Sequence, residues 1–376
     1  MSEKNQVHRG LQGVYFDRSN VTFIDGKKGI LLYRGYSIDE LAKHASFEEI
    51  CYLLIEGDLP NKKQLNEYDQ KLKQHRFLPK ELIALITSMS EAHPMDVLQT
   101  SFSFLGSLNK KKNIDTNSIK EIGIDLIAKT PSIIAHHRRI KERKEIIVPN
   151  KDLNHAENFL YMMSGIKPSQ DEIKLMDKDF ILHAEHSSNA SSFTARVVAG
   201  TGASVHSAMS AAIASLSGPA HGGAAENVMK MALEIENPSN AKNYVKSKRK
   251  NKEAIMGFGH RVYRTEDPRA KHLKEGVKQL SEKHNEQKWI QILDAVEEEM
   301  TPYKRLGVAA NVDFYAGVVY YLLNIPHDYF VPIFAIGRIP GWIISILEQF
   351  ENNILIRPLL EYNGPNYRKY IPMENR

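Results

Sequence analysis

"YSIDELAKHASFEEICYLLIEGDLPN", residues 36–61, reads as two helices and the start of a third. Ser37 stands three positions before Glu40, and Ser46 three before Glu49. That spacing is the capping box, in which serine and glutamate satisfy each other's free N–H groups at a helix start. "GDLPN" (57–61) then stops the second helix and opens another. Similar signals recur along the chain. Thr130 followed by Pro131 predicts an N-cap and first turn, and "SQDE" (169–172) predicts another capping box. Strand signals are few; the best is "VTFIDGKKGILLYRG" (21–35), where Asp25-Gly26 is expected to turn a short hairpin. The expected fold class is all-α: many helices of moderate length, short loops and a short N-terminal β-hairpin.

The 376 residues can bury a large core and exceed the usual size of one domain. Apolar content of 42% and charged content of 25% describe an ordinary globular chain. Its 50 Lys+Arg against 45 Asp+Glu leave +5, which could help attract acidic metabolites but points to no nucleic acid. The basic run "KSKRKNK" (246–252) reads as a solvated linker or helix face. A single cysteine, Cys51 in "ICYLLI", allows no disulfide framework and reads as a small core residue. "MSEKNQVHRG" lacks the apolar stretch of a signal peptide. The most apolar segment, "YFVPIFAIGRIPGWIISIL" (329–347), is interrupted by Pro332, Gly337, Arg338 and Pro340, so no membrane span is expected there. A cytoplasmic protein is the expectation.

"AGTGASVHSAMSAAIASLSGPAHGGAA" (199–225) is built largely from Ala, Ser and Gly, as a closely packed buried helix pair would be. From 226 to about 310 the chain turns charged and Lys/Glu-rich, then apolar again at "FYAGVVYYLLNI". The shift suggests a smaller domain inserted in a larger one: large-domain residues 1–221, small-domain residues 222–318, and 319–376 completing the large domain with a C-terminal tail.

Three segments each place one ionisable residue among glycines or small side chains: "GPAHGG" (His221), "GFGHRVY" (His260) and "NVDFYAG" (Asp313). Singly, they could be a capping histidine, a loop histidine and an N-capping aspartate. His221 precedes the helical "AAENVMKMALEI", where the positive end of a helix dipole disfavours imidazolium. No serine or cysteine sits in a nucleophile elbow. One carboxylate base with two histidine hydrogen-bond donors fits proton abstraction next to a carbonyl. The arginines after His260, namely Arg261, Arg264 and Arg269, call for an anion from the protein or a ligand. "HAEH" (His183, Glu185, His186) puts histidines at i,i+3 and keeps a metal hydrolase open as an alternative, although no HExxH or second ligand pair accompanies it. "AHHRR" (135–139) reads as an exposed basic helix face.

"HAEHSSNAS", "GPAHGG", "MGFGHRVYRTEDPRA", "NVDFYAG" and "ILIRPLLEYNGP" occur in the order found in citrate synthases, and the chain resembles that family from about residue 10 onward. The resemblance implies an almost all-helical homodimer with a large domain and a small mobile one. It implies condensation of acetyl-CoA with oxaloacetate, then hydrolysis to citrate and CoA; 2-methylcitrate synthase, which uses propionyl-CoA, shares every motif. By the same resemblance Asp313 is the base, His221 a donor to the thioester oxygen, and His260 a donor to the ketone of oxaloacetate. His186, Arg269 and Arg338 would hold the dicarboxylate, with Arg357 reaching in from the other subunit. Ala254, Ile255, Met256, Gly257 and Phe258, with Arg261 or Arg264, would bind CoA. Acyl-CoA is then a co-substrate, with no permanently bound cofactor and no metal. Ala309 and Ala310 replace the aromatic-Pro pair usual before the aspartate motif, Leu359 stands where many relatives carry arginine, and Gly337 where serine is frequent.

Overall fold

A three-stranded antiparallel sheet opens the fold in the computed structural model, which describes residues 6–109 and 115–376. β1 (Thr22–Asp25) pairs with β2 (Ile30–Tyr33), with Asp25 opposite Ile30, so residues 26–29 form the turn. The Asp25 carboxylate accepts the N–H groups of Lys27 and Lys28, each at 3.0 Å, and holds that turn. β3 (Tyr36–Ser37), which the pattern did not predict, lies against β2.

The remainder is helical. The first half holds α1 (Ile38–His44), α2 (Phe47–Glu56), α3 (Lys62–His75), α4 (Lys80–Ser88), α5 (Pro94–Leu108), α6 (Thr116–Lys141), α7 (His155–Ser164) and α8 (Gln170–His183). It continues with α9 (Ala190–Gly200), α10 (Val205–Ser217), α11 (Ala224–Ile235), α12 (Ala241–Lys250), α13 (Ala270–Lys283), α14 (Lys288–Met300), α15 (Asp313–Leu322) and α16 (Phe330–Glu351). The Ser46–Glu49 and Ser169–Glu172 boxes are both formed. Ser37 caps α1 differently: its Oγ accepts from Asp39 N–H, not from Glu40. Gly57 ends α2 at φ +103, and Asn61 caps α3. As expected, Cys51 is buried; the Ala/Ser/Gly-rich stretch 199–225 runs from the end of α9 through α10 to the start of α11, and α10 packs against α9. Ala195, Ala199, Ala208 and Ala212 are wholly buried there.

Three expectations are corrected. Pro131 does not begin a helix; it lies inside α6, whose N-cap is Asp115. A proline inside a helix costs about 3 kcal/mol, and here the burial of α6 among α3, α5, α7 and α16 offsets that cost. For the same reason "AHHRR" is not an exposed face: His136 and His137 are buried, and His137 Nδ1 meets Tyr329 Oη at 2.9 Å. Finally, α16 is not interrupted. Pro332 falls in its first turn, where no N–H is needed, and Pro340 is carried within the helix. The helix is long and apolar enough to cross a membrane, yet 94% of its apolar window is buried in the fold. It is the core around which α2, α5, α6, α8, α9 and α10 pack.

The crossing of α16 with the chain leaving α8 depends on glycine. A Cβ at Gly341 would run into Ala184 O and come within 3.1 Å of Glu185 Cγ. Gly337 is less confined, with Phe180 O and His183 Cβ each 3.0 Å from an added Cβ, a tight approach and not a collision. Gly341→Ala is therefore expected to destabilise the fold by about 1–3 kcal/mol, the usual cost of overpacking a filled interior. Urea unfolding followed by circular dichroism should show the lower midpoint.

Candidate active site

His186 lies in the loop that follows α8, not on the helix. The helix ends at His183, so the expected i,i+3 pair on one helical face does not exist. His183 is buried and hydrogen-bonds Asp179 O through Nδ1 at 2.9 Å, whereas His186 Nε2 meets Tyr263 Oη at 3.1 Å. Among the described residues no three His, Cys, Asp or Glu side chains converge as metal ligands. The metal-hydrolase alternative finds no support in this arrangement.

His260 sits on a loop whose backbone needs its glycines. Gly257 and Gly259 have φ of +78° and +84°, and a Cβ at Gly257 would press within 2.7 Å of Phe314 Cβ. Gly259 N–H donates to Ala309 O at 2.8 Å, and Phe258 pairs with Ala310 in an isolated bridge. The two alanines thus sit where this loop and the approach to Asp313 run side by side. His260 Nδ1 accepts from Val262 N–H (3.0 Å) and Tyr263 N–H (3.2 Å). Its proton is accordingly on Nε2, which makes Nε2 the donor. The ring lies 5.1 Å from that of His186 and 4.7 Å from that of Tyr263, centroid to centroid.

His221 stands in the turn before α11, whose N-cap is Gly223. Its Nε2 accepts the Ser191 N–H at 3.3 Å and faces Ser191 Oγ at 2.8 Å, leaving Nδ1 as the protonated donor. Trp342 Nε1–H in turn donates to Ser191 Oγ at 3.0 Å. The ring is kept neutral chiefly by burial, with Arg338 second: its pKa is pushed down to about 4. Burial, not the helix dipole invoked from the sequence, is the main cause. His260 is likewise pushed down to about 4, by burial and then Arg269. His186 falls well below its ordinary value for the same two reasons.

Asp313 opens α15, where the dipole favours a carboxylate, and its N–H donates to Asn311 Oδ1 at 3.1 Å. Burial raises its pKa against the pull of His183, Arg269 and Arg338. A carboxylate raised from its ordinary value is a better proton acceptor.

The cations divide into three kinds. Arg269 is buried, and its Nε and Nη2 already grip the Asp267 carboxylate at 2.9 and 2.7 Å. Its bidentate fork is thus occupied inside the chain, contrary to the simplest sequence expectation. Arg338 is buried too; its Nε donates to His183 O at 2.6 Å and its guanidinium lies 4.7 Å from the Phe334 ring centroid. Among the described residues it has no carboxylate in ion-pair range, and burial pushes its pKa down to about 10. Arg357 is exposed in the irregular tail. Arg269 and Arg338 lie within electrostatic reach of both Asp313 and His186, and His260 within reach of His186; Arg357 is not among these groups.

Of the CoA candidates, Ile255 and Gly257 are buried, Met256 and Phe258 half-buried, and Ala254 and Arg261 exposed. Arg264 Nη1 donates to His260 O at 2.9 Å and braces the loop. Tyr263, Asp267, Ser191 and Trp342 were not singled out in the sequence. Only Asp267 had a local signal, two residues before Arg269; the others gain their roles from distant segments.

Two neutral histidines with fixed tautomers, a raised carboxylate and buried guanidinium groups are the kinds of group that proton abstraction beside an anionic carbonyl compound would use. The family model for the citrate synthase C-terminal domain matches residues 10–359. Citrate synthase 2 of Bacillus subtilis is 46% identical over 98% of this chain and 99% of its own. 2-Methylcitrate synthase 1 of Corynebacterium glutamicum is 40% identical over 99% of each. A solved ternary complex of carboxymethyl coenzyme A and oxaloacetate with citrate synthase from Thermoplasma acidophilum superposes with a TM-score of 0.94. It is 31% identical, covering 99% of this chain and all of that one. The chain belongs to the citrate synthase family and is an acyltransferase of that type.

Neutral histidines carry a pH signature. An unfolded histidine titrates near 6.5, so between about pH 6.5 and pH 4 the unfolded chain binds more protons than the folded one. Stability is therefore expected to fall as pH drops through that window. Urea unfolding at about pH 7 and pH 5 should show the loss, and His260→Asn should reduce it.

Proposed function

We propose that the protein condenses acetyl-CoA with oxaloacetate and hydrolyses the product to citrate and CoA. The observation that carries this reading is the pairing of a raised Asp313 carboxylate with two histidines whose tautomers are fixed as donors. Asp313 takes a proton from the acyl methyl group, and His221 Nδ1–H hydrogen-bonds the thioester oxygen as the enol or enolate develops. The methyl carbon then attacks the ketone carbon of oxaloacetate, whose oxygen receives a proton from His260 Nε2. Water cleaves the resulting thioester to citrate and CoA, and the proton taken up by Asp313 replaces the one given by His260. His186, Arg338 and the face of Arg269 left free by Asp267 hold the carboxylates. Residues 254–258 with Arg261 bind CoA, and acyl-CoA is a co-substrate in a scheme that uses no resident cofactor.

The working unit is a homodimer in which Arg357 completes the partner's site. Supporting this, the tail exposes Leu359 and Leu360 at 84% and 98%, with Ile354, Leu355 and Tyr362. Apolar surface of that kind calls for a cover. Residues 222–318 form the smaller domain, which closes on oxaloacetate because His260 and Arg269 belong to it while His186 and Arg338 do not. The single buried Cys51 fits a cytoplasmic setting.

Propionyl-CoA is the competing substrate, since one methylene is worth only about 1–3 kcal/mol in an apolar pocket. Comparing kcat/KM for acetyl-CoA and propionyl-CoA, by thiol release with oxaloacetate, decides between them; a preference for propionyl-CoA would make the protein a 2-methylcitrate synthase. Asp313→Asn should lower kcat by about 10²–10⁴-fold while calorimetry still detects oxaloacetate binding. His260→Ala and Arg357→Ala homodimers should each be nearly inactive, and their heterodimers should regain one working site. Heterodimers as inactive as the parents would place Arg357 outside the partner's site.

A further inference from the structure

We propose that the N-terminal sheet and the first turn of α1 fix the spacing between the two walls of the oxaloacetate site once the smaller domain has closed, with Tyr33 and Asp39 as positioning residues. The proposal rests on the substrate reading above. One wall is the loop carrying His186. Tyr33 is wholly buried; its Oη donates to Glu185 O at 2.9 Å and accepts Glu185 N–H at 3.3 Å. Thr22 Oγ1 on β1 donates to the Glu185 carboxylate, which also accepts Ser187 N–H at 2.7 Å. The residues on both sides of His186 are thereby tied to the sheet, Glu185 directly and Ser187 through the Glu185 carboxylate.

The same sheet grips the other wall, residues 260–272. At the hairpin turn Gly26 O accepts Arg264 N–H at 2.7 Å, and a Cβ at Gly26 would collide with Val262 O. Gly29, at φ +66°, has room for a Cβ only 3.0 Å from Thr265 Cγ2 and 3.1 Å from Glu266 O. Just beyond β3, Asp39 accepts from His272 Nε2 at 2.6 Å and Lys271 Nζ at 2.8 Å. Those two residues form the first turn of α13, whose N-cap is Arg269. One short stretch of chain thus holds His186 from one side, and from the other the two ends of the segment bearing His260 and Arg269.

Carboxylate contacts divided between two walls weaken when the spacing relaxes, since ligand binding then has to restore it. The CoA segment 254–258 lies outside these contacts, and Arg264, the alternative CoA arginine, meets the sheet through its backbone N–H while its guanidinium turns to His260 O and Tyr263 O. Loosening the sheet is therefore expected to act on oxaloacetate and to spare acyl-CoA.

Asp39→Asn keeps the side-chain size and removes the charge; Tyr33→Phe removes only the hydroxyl. In each variant the KM for oxaloacetate should rise about tenfold, the loss of one well-placed polar contact. At saturating oxaloacetate, kcat and the KM for acetyl-CoA should stay within about twofold of the parent. Asp39→Glu, which retains the carboxylate, should recover most of the loss, a rescue that general destabilisation does not explain. Asp39 is half-buried at the surface, so its variants decide the matter even if Tyr33→Phe fails to fold. A KM for oxaloacetate unchanged in Asp39→Asn, or a fall in kcat alone, overturns the proposal while leaving the activity in place. A parent that turns over neither acyl-CoA overturns the activity reading instead.

Discussion

The Asp267 carboxylate is the constraint on which the site depends. It is buried, accepts Arg269 through two side-chain bonds and one backbone bond, and also accepts the N–H of Val312 at 3.3 Å. Its own N–H donates to Ala310 O at 3.2 Å. One side chain therefore joins the loop of His260 and Arg269 to the residue preceding Asp313. The proximity of Arg269 holds the Asp267 carboxyl below its ordinary range despite burial. An unpaired buried charge at either position would be costly, so the two persist together.

Around that pair the site is buried and rich in positive charge, and both conditions push histidine towards its neutral form. The proposed chemistry would use this, because a neutral ring whose tautomer is fixed offers one directed N–H. His260 obtains its tautomer from two backbone N–H groups, and His221 obtains its own from Ser191. The same surroundings act oppositely on Asp313, which burial raises while the guanidinium groups restrain it. Asp313 and the histidines thus acquire their states from burial and the same buried arginines.

Much of this was legible in sequence. Capping boxes at Ser46 and Ser169, the Gly57 stop and the Asp25-Gly26 turn are local devices, fixed by residues within three or four positions of each other. The glycines before His260 carried their own signal, because positive φ restricts residue type. Where the reading erred, the deciding contacts were distant. Pro131 and Pro340 look like helix breakers, but burial against several other helices outweighs the local penalty. His136 and His137 looked basic and exposed for the same reason, since α6 is enclosed on more faces than its periodicity suggests.

The sequence by itself determined the helical class, the principal caps and which ionisable groups stand among glycines, because each depends on backbone preferences over a few residues. Only the tertiary structure decided that Arg269 is already paired with Asp267, that Tyr263 meets His186, and that the hairpin reaches the His260 loop. These contacts join segments far apart in the chain, and their strength comes from burial that no local spacing encodes.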